Sequence, residues 1–151
     1  MSSKHYQQLF ASLADAGVYH LPHGAIDELA TGAHSAGCLV QHVNLRAVLN
    51  HDELLTALGQ QLGFPNWFGH NWDALYDCLL DMGWRPAEGY VIILDHCDSI
   101  HARAEDDFVT LTQIFQQAAD EWREQGVPFW CLIDMQSDGI AWLPTVNQPA
   151  P

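Results

Sequence analysis

Positive charge is scarce in this chain. Five basic residues (Lys4, Arg46, Arg85, Arg103, Arg123) stand against 19 acidic ones, for a formal net charge of −14. A field of that sign repels nucleic acid and anionic membrane, and it attracts basic partners. No apolar run approaches the length of a membrane span. The N-terminus, MSSKHYQQLF, lacks a cationic stretch followed by a long apolar core, so no secretory leader is expected. The four cysteines (Cys38, Cys78, Cys97, Cys131) form no CxxC pair and sit in or beside apolar runs. Buried, reduced thiols in a cytoplasmic protein are the expectation. Glycines at 24, 32 and 37 match no phosphate-binding loop, and there is no GxSxG. No cofactor is expected.

What is present is a globular composition: 151 residues, 48% hydrophobic and only 16% charged. That length buries one substantial core. Tyr6, Leu9, Phe10 and Leu13 recur at helical spacing and predict a helix over about Lys4 to Ala16, ended by Gly17. Gly17 to Leu21 reads as a short strand. Ile26 to Ala30 allows one helical turn or two, and Thr31 to Gly37 reads as a loop. Cys38 to Leu45 is a strand. Asn50 with Glu53 three residues on forms a capping box, and Leu54, Leu55, Leu58 and Leu62 give the following helix its buried face, with Gly63 at its end. Tyr90–Leu94 and Phe129–Ile133 are apolar, β-branched runs of strand length. Between them, Asp95 to Asp107 is polar, and Phe108 to Glu124 predicts a long helix. Ile140 to Leu143 is a candidate edge strand. Strands separated by helices at these spacings predict an α/β domain with a small, mainly parallel sheet.

One stretch has more chemistry than the rest: PNWFGHNWDALYDCLLDMG, from Pro65 to Gly83. At about 100° per residue, Trp72, Leu75, Leu79 and Met82 share one helix face, with Cys78 at its edge. Asp73, Asp77 and Asp81 share another, and Tyr76 lies at the seam. No Lys or Arg occurs between Arg46 and Arg85 to neutralise the stripe. A solvated helix face explains such a stripe in many proteins. Here, however, aspartate is a poor helix former, and like charges four apart cost roughly 0.2–0.5 kcal/mol per pair. Carboxylates held at that cost beside aromatic rings suit a cationic ligand. A catalytic carboxylate pair is a weaker reading, because one open helix face encloses nothing. Asp95, His96, Cys97, Asp98 and His101 offer metal-ligating atoms, but their spacing matches no zinc pattern, and a strand end entering a polar loop explains them without metal.

The same stretch resembles the signature of the barstar family, intracellular inhibitors of secreted ribonucleases. The aromatic pair, Gly69, Asn71, Asp73-Ala74-Leu75, Asp77 and Cys78 keep the spacing of that signature, and the likeness runs from about Cys38 to Asp134. The resemblance implies a three-stranded parallel sheet packed by helices, with no enzymatic activity. It divides the chain into an N-terminal helix–strand extension (1–37), a barstar-like domain (38–146) and a disordered tail (147–151). It further implies that the helix and its preceding loop plug the active site of a basic ribonuclease or related toxin, with carboxylates standing where RNA phosphates bind. By position, Asp77 enters deepest and Asp73 lies beside it. Trp67 and Tyr76 flank them, Phe68, Gly69, His70 and Asn71 complete the contact, and Glu105 adds a further acid. Trp67 and Phe68 replace two tyrosines of the prototype, and Tyr76 replaces a tryptophan. The alternatives are an interaction module for another basic protein, or a metal-dependent enzyme built on Asp95–His101.

Overall fold

The computed structural model describes residues 2–21, 26–65, 71–81, 87–135 and 143–145. Four strands, β1 (Val18–His20), β2 (Cys38–Asn44), β3 (Gly89–Asp95) and β4 (Phe129–Ile133), form one parallel sheet in the order β1-β4-β3-β2. The helices among the described residues are α1 (Ser2–Phe10), α2 (Ile26–Ser35), α3 (His51–Leu62), α4 (Trp72–Leu80), α5 (Asp98–Arg103) and α6 (Glu105–Glu124). This is the expected α/β architecture. The short strand after Gly17 becomes the fourth strand, beside β4, a pairing that the sequence left open.

Side-chain alternation along the strands divides the interior into two layers. Ile92, Leu94, Cys131 and Ile133 face one way, into a core with Leu54, Leu58, Leu75, Leu79, Phe108, Leu111 and Phe115. Val91, Ile93, Trp130 and Leu132 face the other way and pack on Tyr6 and Phe10 of α1 and Leu29 and Ala33 of α2. Both faces of β3 and β4 are therefore buried, which explains their unbroken apolar runs.

Helix ends follow local chemistry. Asn50 caps α3, its Oδ1 accepting from the Glu53 amide at 2.9 Å, while the Glu53 carboxylate accepts from the Leu49 amide at 2.9 Å. Gly63 ends α3 at φ 71°, a left-handed conformation that suits glycine.

Four boundaries differ from expectation. α1 stops at Phe10, short of Ala16: the Ser12 amide bonds to the Leu9 carbonyl, and the Ser12 hydroxyl then bonds to Asp15. Gly17 is accordingly not a helix cap. It is buried ahead of β1, where a Cβ would meet the Gln116 side chain at 3.0 Å. α2 continues to Ser35 through the stretch read as a loop, because Gly32 and Ala33 are small enough to be buried against the sheet layer. α5 occupies part of the segment read as irregular, and α6 begins at Glu105, before Phe108. Glu105, Asp106 and Asp107 in the first turn meet the positive end of the helix dipole. Of the proposed edge strand Ile140 to Leu143, only Leu143 lies within the described residues; nearby, Thr145 forms a parallel bridge with His20. Residues 147–151 lie outside them.

Candidate functional site: an acidic face on helices four and six

Asn71 starts α4. Its side chain accepts from the Ala74 amide at 2.8 Å, and its backbone is extended. A bond of this kind is worth about 1 kcal/mol to a helix N-terminus. It fixes where the first turn begins and thus which way the aspartates point. Leu75, Cys78 and Leu79 are buried, so the apolar face predicted by the wheel is the one that packs. Trp72 is half-buried and meets the His51 ring edge-on at 5.0 Å.

Asp73 and Asp77 are exposed on the opposite face, one turn apart, and neither forms an ion pair among the described residues. Asp81 is exposed too, but it is the C-terminal cap, its amide bonding to the Asp77 carbonyl. Two carboxylates, and not three, therefore project from the helix body. Burial pushes the Cys78 thiol up to about 11, helped by Asp77 and Asp81, so it is no nucleophile at neutral pH.

α4 packs on α6, and the Trp122 indole N–H donates to the Leu79 carbonyl at 2.9 Å. That contact brings the last turns of α6 to Tyr76. Its phenol titrates above the usual tyrosine range because of burial first, then Glu121, Asp77, Asp120 and Glu124. These three α6 carboxylates extend the α4 stripe and were not anticipated from the sequence. Their signal was there, in acids flanking Trp122 on a helix whose other face is apolar. The one cation among them, Arg123, is shared between Asp120 and the N-terminal segment. Its guanidinium donates to the carbonyls of Leu13 and Ala16, pinning the N-terminal segment, and bonds to Asp120 at 2.8 Å.

Among the other expected site residues, Trp67, Phe68, Gly69 and His70 lie outside the described residues. Glu105 is the first residue of α6, and Trp122, which contacts α4, lies seventeen residues further on. At 1.5 Å per residue, that is roughly 25 Å along the axis. Glu105 thus stands well apart along α6 from the Trp122 contact with α4. It lies instead 3.9 Å from His101.

The Asp95–His101 segment splits between a strand end and a helix. Asp95 ends β3 beside Asp134, Cys97 is buried, and His101 packs edge-on against Phe108 at 5.2 Å. Among the described residues, no three His, Cys, Asp or Glu side chains are grouped to hold a metal ion. Asp95 and Asp134 continue the β3–β4 register on one face of the sheet and hydrogen-bond to each other. Burial, the shared hydrogen bond and the Asp95 charge push Asp134 up to about 6. For Asp95, burial is outweighed by the bond to Asp134 and by His96 and His42, so its carboxyl is held down.

The sequence features that gather on α4 coincide with a known family pattern. The model of a family described as Barstar (barnase inhibitor) matches residues 38–134, more than half of the chain. The chain belongs to the barstar family. No curated protein matches the sequence. Among solved structures, the chain is similar to the Aeropyrum pernix ORC2 protein in its ADPNP–ADP complexes. The TM-score is 0.57 at 18% identity, covering 87% of this chain and 39% of that one. The ADP form of the same protein gives 0.58 at 16% identity, covering 90% and 40%. These likenesses are of fold alone, and the chain spans about two fifths of the proteins it matches. The barstar match leaves only residues 135–151 beyond its C-terminal end, so the wider coverage has to include part of residues 1–37. Among the described residues, no helix is long and apolar enough to cross a membrane.

Proposed function

We propose that this barstar-family protein inhibits a basic ribonuclease, or a related basic toxin, by seating the α4 face and the preceding Trp67–His70 loop against the enzyme's active site. Asp77 enters deepest with Asp73 beside it, their carboxylates taking positions that RNA phosphates occupy. Trp67, Phe68 and Tyr76 give ring contacts around them. Gly69 and His70 bring the loop into position, and Asn71 sets the helix start. Asp120, Glu121 and Glu124 widen the acidic face, and Glu105 adds charge at a distance. The protein acts by binding and not as an enzyme, and its buried free cysteines suit the cytoplasm.

The observation that supports this reading most is that Asp73 and Asp77 have no ion-pair partner among the described residues and lie beside three further carboxylates. Such a cluster is self-repelling in the free protein and is relieved by an incoming cationic surface. Association is therefore fast at low salt and slows as salt screens the steering field. The test is binding to a panel of basic ribonucleases by stopped-flow from 20 mM to 500 mM salt. At least one complex should form, with an association rate that falls as salt rises. No complex with any enzyme, or rates indifferent to salt, would overturn the proposal.

A further inference from the structure

The two edges of the sheet are finished differently. At β1, residues Val18 and His20 turn their backbone groups away from β4. The Val18 amide donates to the Gln116 side chain at 3.1 Å, and the His20 amide donates to the Pro144 carbonyl at 2.7 Å. That edge is capped. At β2, the register fixes which groups face outward. The Leu45 amide bonds inward to Asp95, while both backbone groups of Asn44 point out. By alternation, Cys38, Val40 and His42 also point out. Among the described residues, only Asn44 is capped. The Gln61 carboxamide accepts from its amide at 2.7 Å and donates to its carbonyl at 2.9 Å, the double contact that a neighbouring strand makes. Among the described residues, no hydrogen bond engages the outward groups of Val40 or His42. Leu39, Val40 and Gln41 are half-buried and His42 is exposed, so the strand is accessible. An open edge of this length is a template for strand addition.

Charge at the two ends of β2 selects what fits. At the Cys38 end, the Glu88 carboxylate lies against Gly37, where an added Cβ would approach it to 2.7 Å. At the Asn44 end, a groove of about 400 Å³ between β2 and α3 is lined by Asp52, Glu53, Gln60 and Gln61 among others. Arg46, the nearby cation, is directed to His96 at 3.5 Å. Cys38 and Asn44 are about 20 Å apart along the strand. A second copy of this chain would bring another net charge of −14 to the same edge.

We propose that the open edge of β2 docks an extended segment of a basic partner as a fifth strand. One cation of that segment sits near Glu88 and another, about six residues away, near Asp52 and Glu53. This surface is separate from the α4 face and stands whether or not that face binds a ribonuclease.

The test uses the full chain and a seven-residue peptide with lysine at both ends and alternating threonine and valine between. Amide exchange followed by NMR should slow at least tenfold at Val40 and His42 on saturation with the peptide, while the amides of α4 are unaffected. A glutamate-ended peptide, and a lysine-ended one N-methylated at the amides facing β2, should each bind at least tenfold more weakly. In the protein, His42→Pro removes an outward N–H at an edge position that tolerates proline and should abolish protection. His42→Lys keeps the backbone intact and should weaken binding severalfold through repulsion, so it serves if the proline variant fails to fold. The proposal is overturned by unchanged exchange at Val40 and His42, by equal binding of the N-methylated peptide, or by perturbation of α4 alone. Concentration-dependent protection without peptide would also overturn it, since the occupant would then be a second copy.

Discussion

Asp73 and Asp77 on α4 stand in solvent with no ion pair among the described residues, whereas Asp95 and Glu105, at the end of β3 and the start of α6, each lie near a histidine. Both regions are acidic and both contain aromatic or histidine neighbours in sequence. The difference lies in what the fold places around them. At the sheet end, Asp95 shares a hydrogen bond with Asp134, and His96 and Arg46 lie close by. On α4, the fold adds Asp120, Glu121 and Glu124, and Arg123 pairs with Asp120 while also bonding to the N-terminal segment. One region has used its charges internally; the other gathers five carboxylates, of which only Asp120 has an ion-pair partner among the described residues. A largely uncompensated charged surface is a better candidate for recognition than an equally charged region that pairs with itself.

Neutralising one region at a time would sharpen that contrast. Replacing Asp120, Glu121 and Glu124 together by their amides should slow association with a basic ribonuclease about tenfold or more at low salt. The equivalent change at Asp98, Glu105 and Asp106 should leave the rate within about twofold. Equal slowing would erase the distinction.

The sheet-end pair makes a prediction in pH. Folded Asp134 binds its proton at a higher pH than the unfolded chain, with a pKa of about 6 against 3.8. Its favourable contribution is therefore complete below about pH 4 and is lost as pH rises through 6. Asp134→Asn keeps a donor for Asp95 and removes the second charge. Denaturant unfolding should show it more stable than the parent at pH 8 by on the order of 1 kcal/mol, allowing for solvent screening, and little changed at pH 4. A variant equally destabilised at both pH values would mean that the pair is not repulsive at neutral pH.

Asn71→Ala removes the α4 cap and should cost about 1 kcal/mol of stability. Because the cap also orients the first turn, affinity should fall with it, whereas Asn50→Ala on α3 should lower stability alone. Calorimetry on both variants separates the two. Glu105→Gln is the smallest change: stability and affinity should each move by less than about 0.5 kcal/mol, since its ion pair with His101 is exposed and long.

Much of this arrangement was legible in the chain. The strands from Cys38, Tyr90 and Phe129, the capped helix after Asn50 and the two-faced helix after Asn71 follow from hydrophobic period and capping chemistry. The α2 stretch misled because Thr31, Gly32 and Ser35 resemble a linker, and only tertiary contact reveals that Gly32 and Ala33 are buried. The early start of α6 was hidden because three acids in a row look like a loop until the helix dipole is considered. Pairing order is a long-range property, so the place of β1 beside β4 had no local signal. The same holds for the site. The α4 aspartates could be read from a wheel, but their neighbours on α6 lie more than forty residues away and meet them only because α4 packs on α6. Glu105 is the first residue of α6, at the far end of that helix from Trp122.

The account rests on Asp77 as the central contact. Its most direct test is inhibition of a ribonuclease that binds the protein, titrated with the parent chain, Asp77→Ala and Asp81→Ala. Loss of a central interface residue costs at least about 2 kcal/mol, so Asp77→Ala should weaken inhibition about thirtyfold or more. Asp81→Ala, at the helix cap, should weaken it less than about threefold. Equal effects of the two substitutions, or full inhibition by Asp77→Ala, would contradict it.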